Sequence, residues 1–132
     1  MQPGTGESQQ VGIFSNALTE ILIAQGIFYT LTGIWPVLHI RSFEAVTGPK
    51  HDKWLVKIVG LVITVIGVAL IVAGSKEQAL TPIVLLAAGC AAVLAAADFY
   101  YVLRGTISRI YLADCVVELA LAVLLGLASW PA

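Results

Sequence analysis

Four long apolar runs, separated by short connections, constrain this chain more than any other feature. The runs cover residues 12–38, 54–74, 82–103 and 108–130. Each is long enough to cross a hydrocarbon core of about 30 Å as an α-helix. Helices are the economical way for these runs to cross, because backbone polar groups cannot be left unpaired in lipid. We therefore predict an all-α polytopic membrane protein with four transmembrane helices in an antiparallel bundle.

Composition supports this fold class. Hydrophobic residues make up 59% of the chain and charged residues 11%, against about 45–50% and about 25% in average soluble proteins. This balance excludes a disordered chain, a nucleic-acid binder and an ordinary soluble domain. Four spans use most of the 132 residues. We expect a polar N-terminal tail over residues 1–11 and a single four-helix transmembrane domain over residues 12–132.

The connections contain residues that are typical of helix ends. Asp52 is placed to cap the second span, and Thr81 followed by Pro82 is typical of a helix start. Arg104 and Gly105 indicate a helix end, with Thr106 or Ser108 as caps for the fourth span. The connection over residues 39–53 has two interpretations. It is either a short amphipathic segment at the membrane surface that ends at Gly48–Pro49, or a plain polar loop.

Basic residues predict the orientation. Six of the seven belong to the side of the membrane that receives the first and third connections, namely Arg41, Lys50, Lys53, Lys57, Arg104 and Arg109. Only Lys76 belongs to the other side. The positive-inside rule then predicts that both termini lie outside and that loops 39–53 and 104–108 are cytoplasmic.

Small residues predict close helix packing. Gly26 and Gly33 are seven residues apart in the first span, as are Gly60, Gly67 and Gly74 in the second. This spacing keeps the glycines on one side of each helix, where backbones can approach closely. The third span is rich in alanine, so we expect it to occupy a central position in the bundle.

Four acidic residues fall inside the spans and are the first candidates for function: Glu20, Asp98, Asp114 and Glu118. Ionisable groups at membrane depth are costly and must be paired, protonated or used. Asn16 and Glu20 share a side of the first span, and Tyr111, Asp114 and Glu118 share a side of the fourth. If these sides meet, Glu20 and Glu118 would share a proton in a polar interior.

We therefore predict a ligand or proton site formed by these five residues: Glu20, Glu118, Asn16, Asp114 and Tyr111. A purely structural, hydrogen-bonded role for the same side chains is the alternative. For Asp98, the adjacent Arg104 and Arg109 favour a structural ion-pair cluster that ties the last two spans together.

Redox, metal and catalytic motifs are not found in the sequence. Cys90 and Cys115 do not form a Cys-x-x-Cys pair, and we interpret both as small buried side chains. His39 and His51 lack metal-ligand spacing. The sequence contains neither a phosphate-binding loop nor a catalytic triad pattern. We expect no metal and no cofactor, and these absences favour a protein that is not an enzyme.

Two family resemblances follow from these residues. The first two spans, with their spaced glycines and a proline, resemble the DoxX-like group of small four-helix bacterial membrane proteins. The residues that carry this resemblance are Gly26, Gly33, Pro36, Phe43, Gly60 and Gly67. It implies the four-helix fold and a bacterial inner membrane; some members are subunits of quinone-linked oxidoreductases, an activity that we do not carry over. Glu20 is similar to the first-helix Glu of small multidrug-resistance transporters, but Asp114 and Glu118 depart from that pattern.

Three functions remain open from sequence. The first is a non-catalytic subunit or binding module whose partly polar interior holds a lipid, quinone-like or other amphipathic ligand, or which docks on a larger membrane complex or a second copy of itself. The second is a proton-coupled small-molecule transporter that uses its intramembrane Glu residues. The third is an enzyme acting on lipid- or sterol-like substrates with the carboxyls as acid and base. We favour the first hypothesis.

Overall fold

The computed structural model describes residues 5–129, and the side chains of residues 16–129. It contains the helices α1 (Thr5–Leu38), α2 (Ile40–Thr47), α3 (Lys53–Ser75), α4 (Thr81–Leu103) and α5 (Tyr111–Ser129). Four of them contain stretches long and apolar enough to cross a membrane: Asn16–Leu38, Lys53–Ser75, Thr81–Leu103 and Tyr111–Ser129. The predicted all-α, four-span fold class is confirmed, and the chain is a small multi-pass membrane protein.

The ends of the helices refine the predicted boundaries. Helix α1 begins at Thr5, within the predicted tail, and residues 1–4 of that tail and residues 130–132 lie outside the described part of the chain. Helix α4 begins at Thr81, with Leu80 rather than Thr81 in the capping position. It ends at Leu103 with Arg104 as the capping residue, and Gly105 then adopts a φ of 73°, which a side chain would oppose.

Residues 39–53 contain a helix, which decides between the two interpretations of this connection. The His39 ring accepts a hydrogen bond from the backbone N–H of Ser42 and so caps the start of α2. The helix ends at Thr47 and is followed by Gly48, whose φ of 100° is open to glycine and strained for other residues. Pro49 follows directly and cannot donate a backbone hydrogen bond. The connection is therefore a helix and not a plain polar loop, and its position at the membrane surface stays a prediction.

Helices α1 and α3 form the closest pair, and their glycines are the reason. A Cβ atom added at Gly26 would lie 2.6 Å from the carbonyl oxygen of Gly67. One added at Gly33 would lie 2.6 Å from the carbonyl oxygen of Gly60. The reversed order of the partners shows that the two helices are antiparallel. The prediction that the glycines permit backbone contact is confirmed at these positions.

Helix α4 is not central, contrary to the prediction. Its buried alanines, Ala87, Ala91 and Ala95, lie along one side, and α4 packs chiefly on α5. Helix α1 instead contacts each of the other four helices. The bundle therefore consists of two antiparallel pairs, α1 with α3 and α4 with α5. Small side chains let α4 approach one neighbouring helix closely, but they offer too little contact surface to pack against three helices at once.

The two ends of the bundle are packed differently. We call the end that holds connections 39–52 and 104–110 the basic end, and the end that holds residues 76–80 the opposite end. Near the opposite end, each spanning helix contributes one fully buried residue to a common core: Leu22, Leu70, Ala87 and Leu125. Toward the basic end the two pairs separate, which leaves space between them.

Replacing Gly26 with Ala should destabilise the protein by about 1–3 kcal/mol, because the added methyl group meets backbone atoms of α3 that cannot move aside. Gly89→Ala is the matched control, since nothing lies within 4 Å of a Cβ atom built there. Unfolding of both variants by a denaturing detergent in mixed micelles measures the difference. Equal stability of Gly26→Ala and Gly89→Ala would contradict the close α1–α3 contact.

Candidate functional site

A cavity of about 790 Å³ lies between the two helix pairs at the basic end. Its walls come from residues 28–36 of α1, 55–63 of α3, 94–101 of α4 and 111–118 of α5, and α2 contributes further residues. Most of the lining is apolar or aromatic, including Phe28, Trp35, Phe43, Tyr101 and Tyr111. A volume in this range and a mainly apolar lining with a few polar groups are typical of small-molecule sites.

The inner end of the cavity is closed by a buried hydrogen bond between α1 and α5. The hydroxyl of Tyr29 donates to Oε2 of Glu118 at 2.8 Å, and both residues are 1% exposed. Next to it, Nε2 of Gln25 donates to the carbonyl oxygen of Ala87 at 3.0 Å. These two bonds join α1 to the α4–α5 pair at the level where the packed core ends. The bond from Tyr29 also gives the buried Glu118 carboxyl a donor from its own chain.

Three of the four intramembrane acids converge on the cavity. Asp114 and Glu118 are one turn apart on α5, Asp98 comes from α4, and all three line the cavity. Asp98 is 7% exposed, and among the described residues its Oδ2 atom has no hydrogen-bond partner. Asp98 and Asp114 also face each other across the α4–α5 hairpin, close enough for a side-chain hydrogen bond when one of the two carboxyls is protonated. The cavity therefore contains a carboxyl cluster, which we define as Asp98, Asp114 and Glu118.

Glu20 and Asn16 do not belong to this cluster. Both side chains are exposed on the surface of α1, and neither lines the cavity. Glu20 precedes Tyr29 by nine residues, which is about two and a half turns and about 13 Å along the helix. It therefore lies on the opposite side of α1 and near the start of the span Asn16–Leu38. The expected meeting of Glu20 with Glu118 does not occur; Tyr29 occupies that place.

The expected ion-pair cluster does not form either. In the described part of the chain, no ion pair joins Arg104 or Arg109 to Asp98 or Asp114. Arg104 follows Asp98 by about one and two-thirds turns, so the two lie on different sides of the helix end. The Arg104 guanidinium instead lies 5.7 Å from the ring centroid of Tyr100. Both arginines are exposed.

Helix α2 and the residues after it form the mouth of the cavity. The indole N–H of Trp35 donates to Oγ of Ser42 at 2.8 Å, and the rings of Trp35 and Phe43 meet edge to face at 5.4 Å. Nζ of Lys50 donates to the carbonyl oxygen of Thr47 at 3.1 Å. The same ammonium lies 4.9 Å from the ring centroid of Tyr111, in the geometry of a cation–π contact.

Glu44 ties this mouth to the start of α3. Its carboxylate accepts a hydrogen bond from the backbone N–H of Lys50 at 3.0 Å and pairs with Nζ of Lys53 at 3.2 Å. The hydrogen bond from the Lys50 backbone, followed by the charge and hydrogen bond of Lys53, lowers the pKa of Glu44 below its usual value. Because the Glu44 carboxylate bridges α2 and α3, it fixes the turn that carries Lys50.

Four residues that line the cavity were not predicted as site residues from the sequence: Tyr29, Trp35, Phe43 and Lys50. Tyr29 gave one signal: it lies well inside a span, whereas membrane tyrosines favour the interfaces, and a buried hydroxyl needs a partner. Lys50 gave no signal beyond its charge. Only the turn at Gly48, with its φ of 100°, brings Lys50 back over α5.

The cysteines and histidines stay outside the carboxyl cluster. Cys115 is buried and its thiol donates to the carbonyl oxygen of Ala95 at 3.3 Å, while Cys90 is half-buried. Both thiols are free. Among the residues that the structure describes, no group of three or more His, Cys, Asp and Glu side chains is placed to hold a metal ion.

No protein-family model, no curated protein and no solved structure matches this chain. The resemblance to the DoxX-like group therefore gains no support from these comparisons. What is established about the chain is that it is small and has four long apolar helices. An argument about its function therefore depends on the geometry of the cavity.

Removing the Tyr29 hydroxyl should destabilise the protein by about 1–3 kcal/mol, because the buried Glu118 carboxyl then loses its donor. Tyr29→Phe makes this change without altering the ring. Glu118→Gln should cost less, since its amide oxygen can still accept the bond. Tyr100→Phe, at a half-exposed ring, is the control. A Tyr29→Phe variant that unfolds at the same detergent concentration as Tyr100→Phe would contradict this role.

The stability of the turn that carries Lys50, at the mouth of the cavity, should depend on pH through Glu44. Since its folded pKa is lowered, its contribution is present at neutral pH and is lost as pH falls through the folded pKa. Glu44→Gln should speed amide hydrogen exchange at Lys50 at neutral pH and have little further effect in acid. Glu77→Gln, at an exposed carboxyl of the opposite end, should change exchange at neither pH. A pH-independent effect of Glu44→Gln would be evidence against the bridge.

Proposed function

We propose that this protein is a non-catalytic membrane module that binds an amphipathic molecule in the cavity at its basic end. The observation that carries the proposal is a mainly apolar, aromatic-walled cavity of about 790 Å³ with three carboxyls on its lining. Such a site suits a ligand with an apolar body and a polar head. A lipid or a quinone-like compound has that form.

Location within the membrane supports an amphipathic ligand. The cavity lies between helices whose outer surfaces expose large apolar side chains, among them Val65, Leu85, Val93, Val116 and Leu127. A ligand already dissolved in the bilayer can reach this space without crossing water. A strictly polar solute would have to leave water for walls that offer it few partners.

Proton-coupled transport remains the second candidate, because three carboxyls at membrane depth are also a means of holding protons. The version that relies on Glu20 and Glu118 together is weakened by the exposed position of Glu20. Reconstituted vesicles decide between binding and transport. Flux driven by a pH gradient that disappears in Glu118→Gln would replace the binding proposal with transport.

Binding is tested with a probe that quenches tryptophan. We choose a long-chain alcohol with a terminal bromine, and protein in nanodiscs of zwitterionic lipid. Trp35 lines the cavity and Trp54 does not, so two variants that keep one of these as the single tryptophan report on the cavity and on the lipid-facing surface. We expect saturable quenching of Trp35 and linear, unsaturated quenching of Trp54.

A cavity-filling substitution provides the matched control. Ile63→Phe on α3 places a larger side chain on the cavity lining and should weaken saturable quenching by about tenfold or more, which corresponds to about 1.4 kcal/mol. Val65→Phe makes a similar change on the lipid-facing side of the same helix and should have no effect. Quenching of Trp35 that never saturates would refute the binding proposal.

For the topology, we propose that both termini lie outside and that loops 39–53 and 104–108 are cytoplasmic in a bacterial inner membrane. Six basic residues at one end support this orientation. Alkaline phosphatase fused after Ala132 should be active and green fluorescent protein fused there should be dark. The same reporters inserted after Gly105 should give the reverse pattern. A fluorescent C-terminal fusion would contradict this orientation and indicate that the C-terminus is cytoplasmic.

A further inference from the structure

We propose that the polar head of the ligand is a protonated amine, and that its N–H group donates to Asp98. This inference rests on the binding function proposed above and specifies the chemistry of the same site. It depends on three separate observations at the cavity: an unpaired carboxylate oxygen, an excess of acidic groups, and aromatic rings that already hold an ammonium group.

The unpaired oxygen is the first observation. Asp98 lines the cavity and is 7% exposed, and within the described residues its Oδ2 atom has no hydrogen-bond partner. Buried acceptors in folded proteins are nearly always paired, because an unpaired one loses its hydration without compensation. Glu118 differs, since the Tyr29 hydroxyl already donates to it at 2.8 Å. Among the buried carboxyl groups of the cluster, the acceptor left for a ligand is therefore Oδ2 of Asp98.

The charge balance is the second observation. Asp98, Asp114 and Glu118 line the cavity, and in the described part of the chain Lys50 is the basic residue that lines it as well. The Lys50 ammonium is engaged at the mouth by the carbonyl oxygen of Thr47. A cationic head would offset the remaining acidic charge, and the attraction is stronger in an apolar surrounding than in water.

The aromatic rings at the mouth are the third observation. The ammonium of Lys50 lies 4.9 Å from the ring centroid of Tyr111 and 5.9 Å from that of Phe43. The chain itself thus shows that these rings accept an alkylammonium group. An amine with an apolar tail would meet the same kind of surface on its way to Asp98.

The unpaired oxygen also distinguishes between kinds of polar head group. A quaternary ammonium group carries charge but has no N–H to donate. An alcohol has a donor but carries no charge. Of these three head groups, only a protonated amine supplies both, as a charge-assisted hydrogen bond to the carboxylate. The expected order of affinity is primary amine first, with alcohol and quaternary ammonium both weaker.

The experiment compares three probes with the same bromine-terminated tail, which differ only in a primary amine, an alcohol or a trimethylammonium head. Saturable quenching of Trp35 is measured in zwitterionic nanodiscs, with the variant that keeps only Trp54 as the reference for partition into lipid. We expect the amine to bind about tenfold more tightly than either other probe, as a charge-assisted bond predicts.

Variants then assign the contact to Asp98. Asp98→Asn should weaken amine binding by about tenfold, because the charge is lost, and should leave alcohol binding within about twofold, because its amide oxygen still accepts a hydrogen bond. Glu20→Gln removes one carboxylate from the exposed side of α1 and should change neither affinity. If Asp98→Asn fails to fold, the comparison of head groups on the unaltered protein decides alone.

The outcomes separate this inference from the function on which it rests. Equal saturable binding of amine and alcohol would overturn the amine assignment and leave the binding function standing. Equal binding of amine and trimethylammonium would overturn the N–H contact with Asp98, and with it the assignment. Quenching that saturates with none of the three probes would overturn the binding function itself.

Discussion

The hydrogen bond from Tyr29 to Glu118 is the constraint on which the rest of the structure depends. It joins two residues 89 positions apart and links the α1–α3 pair to the α4–α5 pair, which otherwise meet mainly through α1. On one side of this bond, Leu22, Leu70, Ala87 and Leu125 fill the interior. On the other side the pairs separate and enclose the cavity. Together with the neighbouring bond from Gln25 to Ala87, this buried polar contact marks the boundary between packed core and cavity.

Much of the fold could be predicted from sequence because lipid imposes simple rules. An apolar run of sufficient length must become a helix, and glycines seven residues apart, such as Gly26 and Gly33, must lie on one side of it. The turn at Gly48–Pro49 could be predicted for a different reason, because glycine followed by proline is typical of a turn. These signals are local, and each one depends on neighbours in the chain rather than on a partner elsewhere.

The site could be predicted only in part, because it depends on how helices rotate against one another. Tyr111, Asp114 and Glu118 were found together since they share one side of α5. Glu20 was placed against them on the assumption that the polar side of α1 turns inward. The glycines fix the rotation of α1 instead, and they carry Tyr29 inward and Glu20 outward. Asp98 was assigned to arginines that are close in sequence but lie on another side of the helix end.

The glycine contact between α1 and α3 has a mechanical consequence. A Cβ atom at Gly26 would lie 2.6 Å from the carbonyl oxygen of Gly67, so the two backbones meet directly and have little room to shift against each other. This pair therefore forms a stiff frame. The α4–α5 hairpin contacts that frame less extensively. We therefore expect a change in the volume of the cavity to come from a shift of α4–α5 about the Tyr29–Glu118 bond rather than from a shift of α1 against α3.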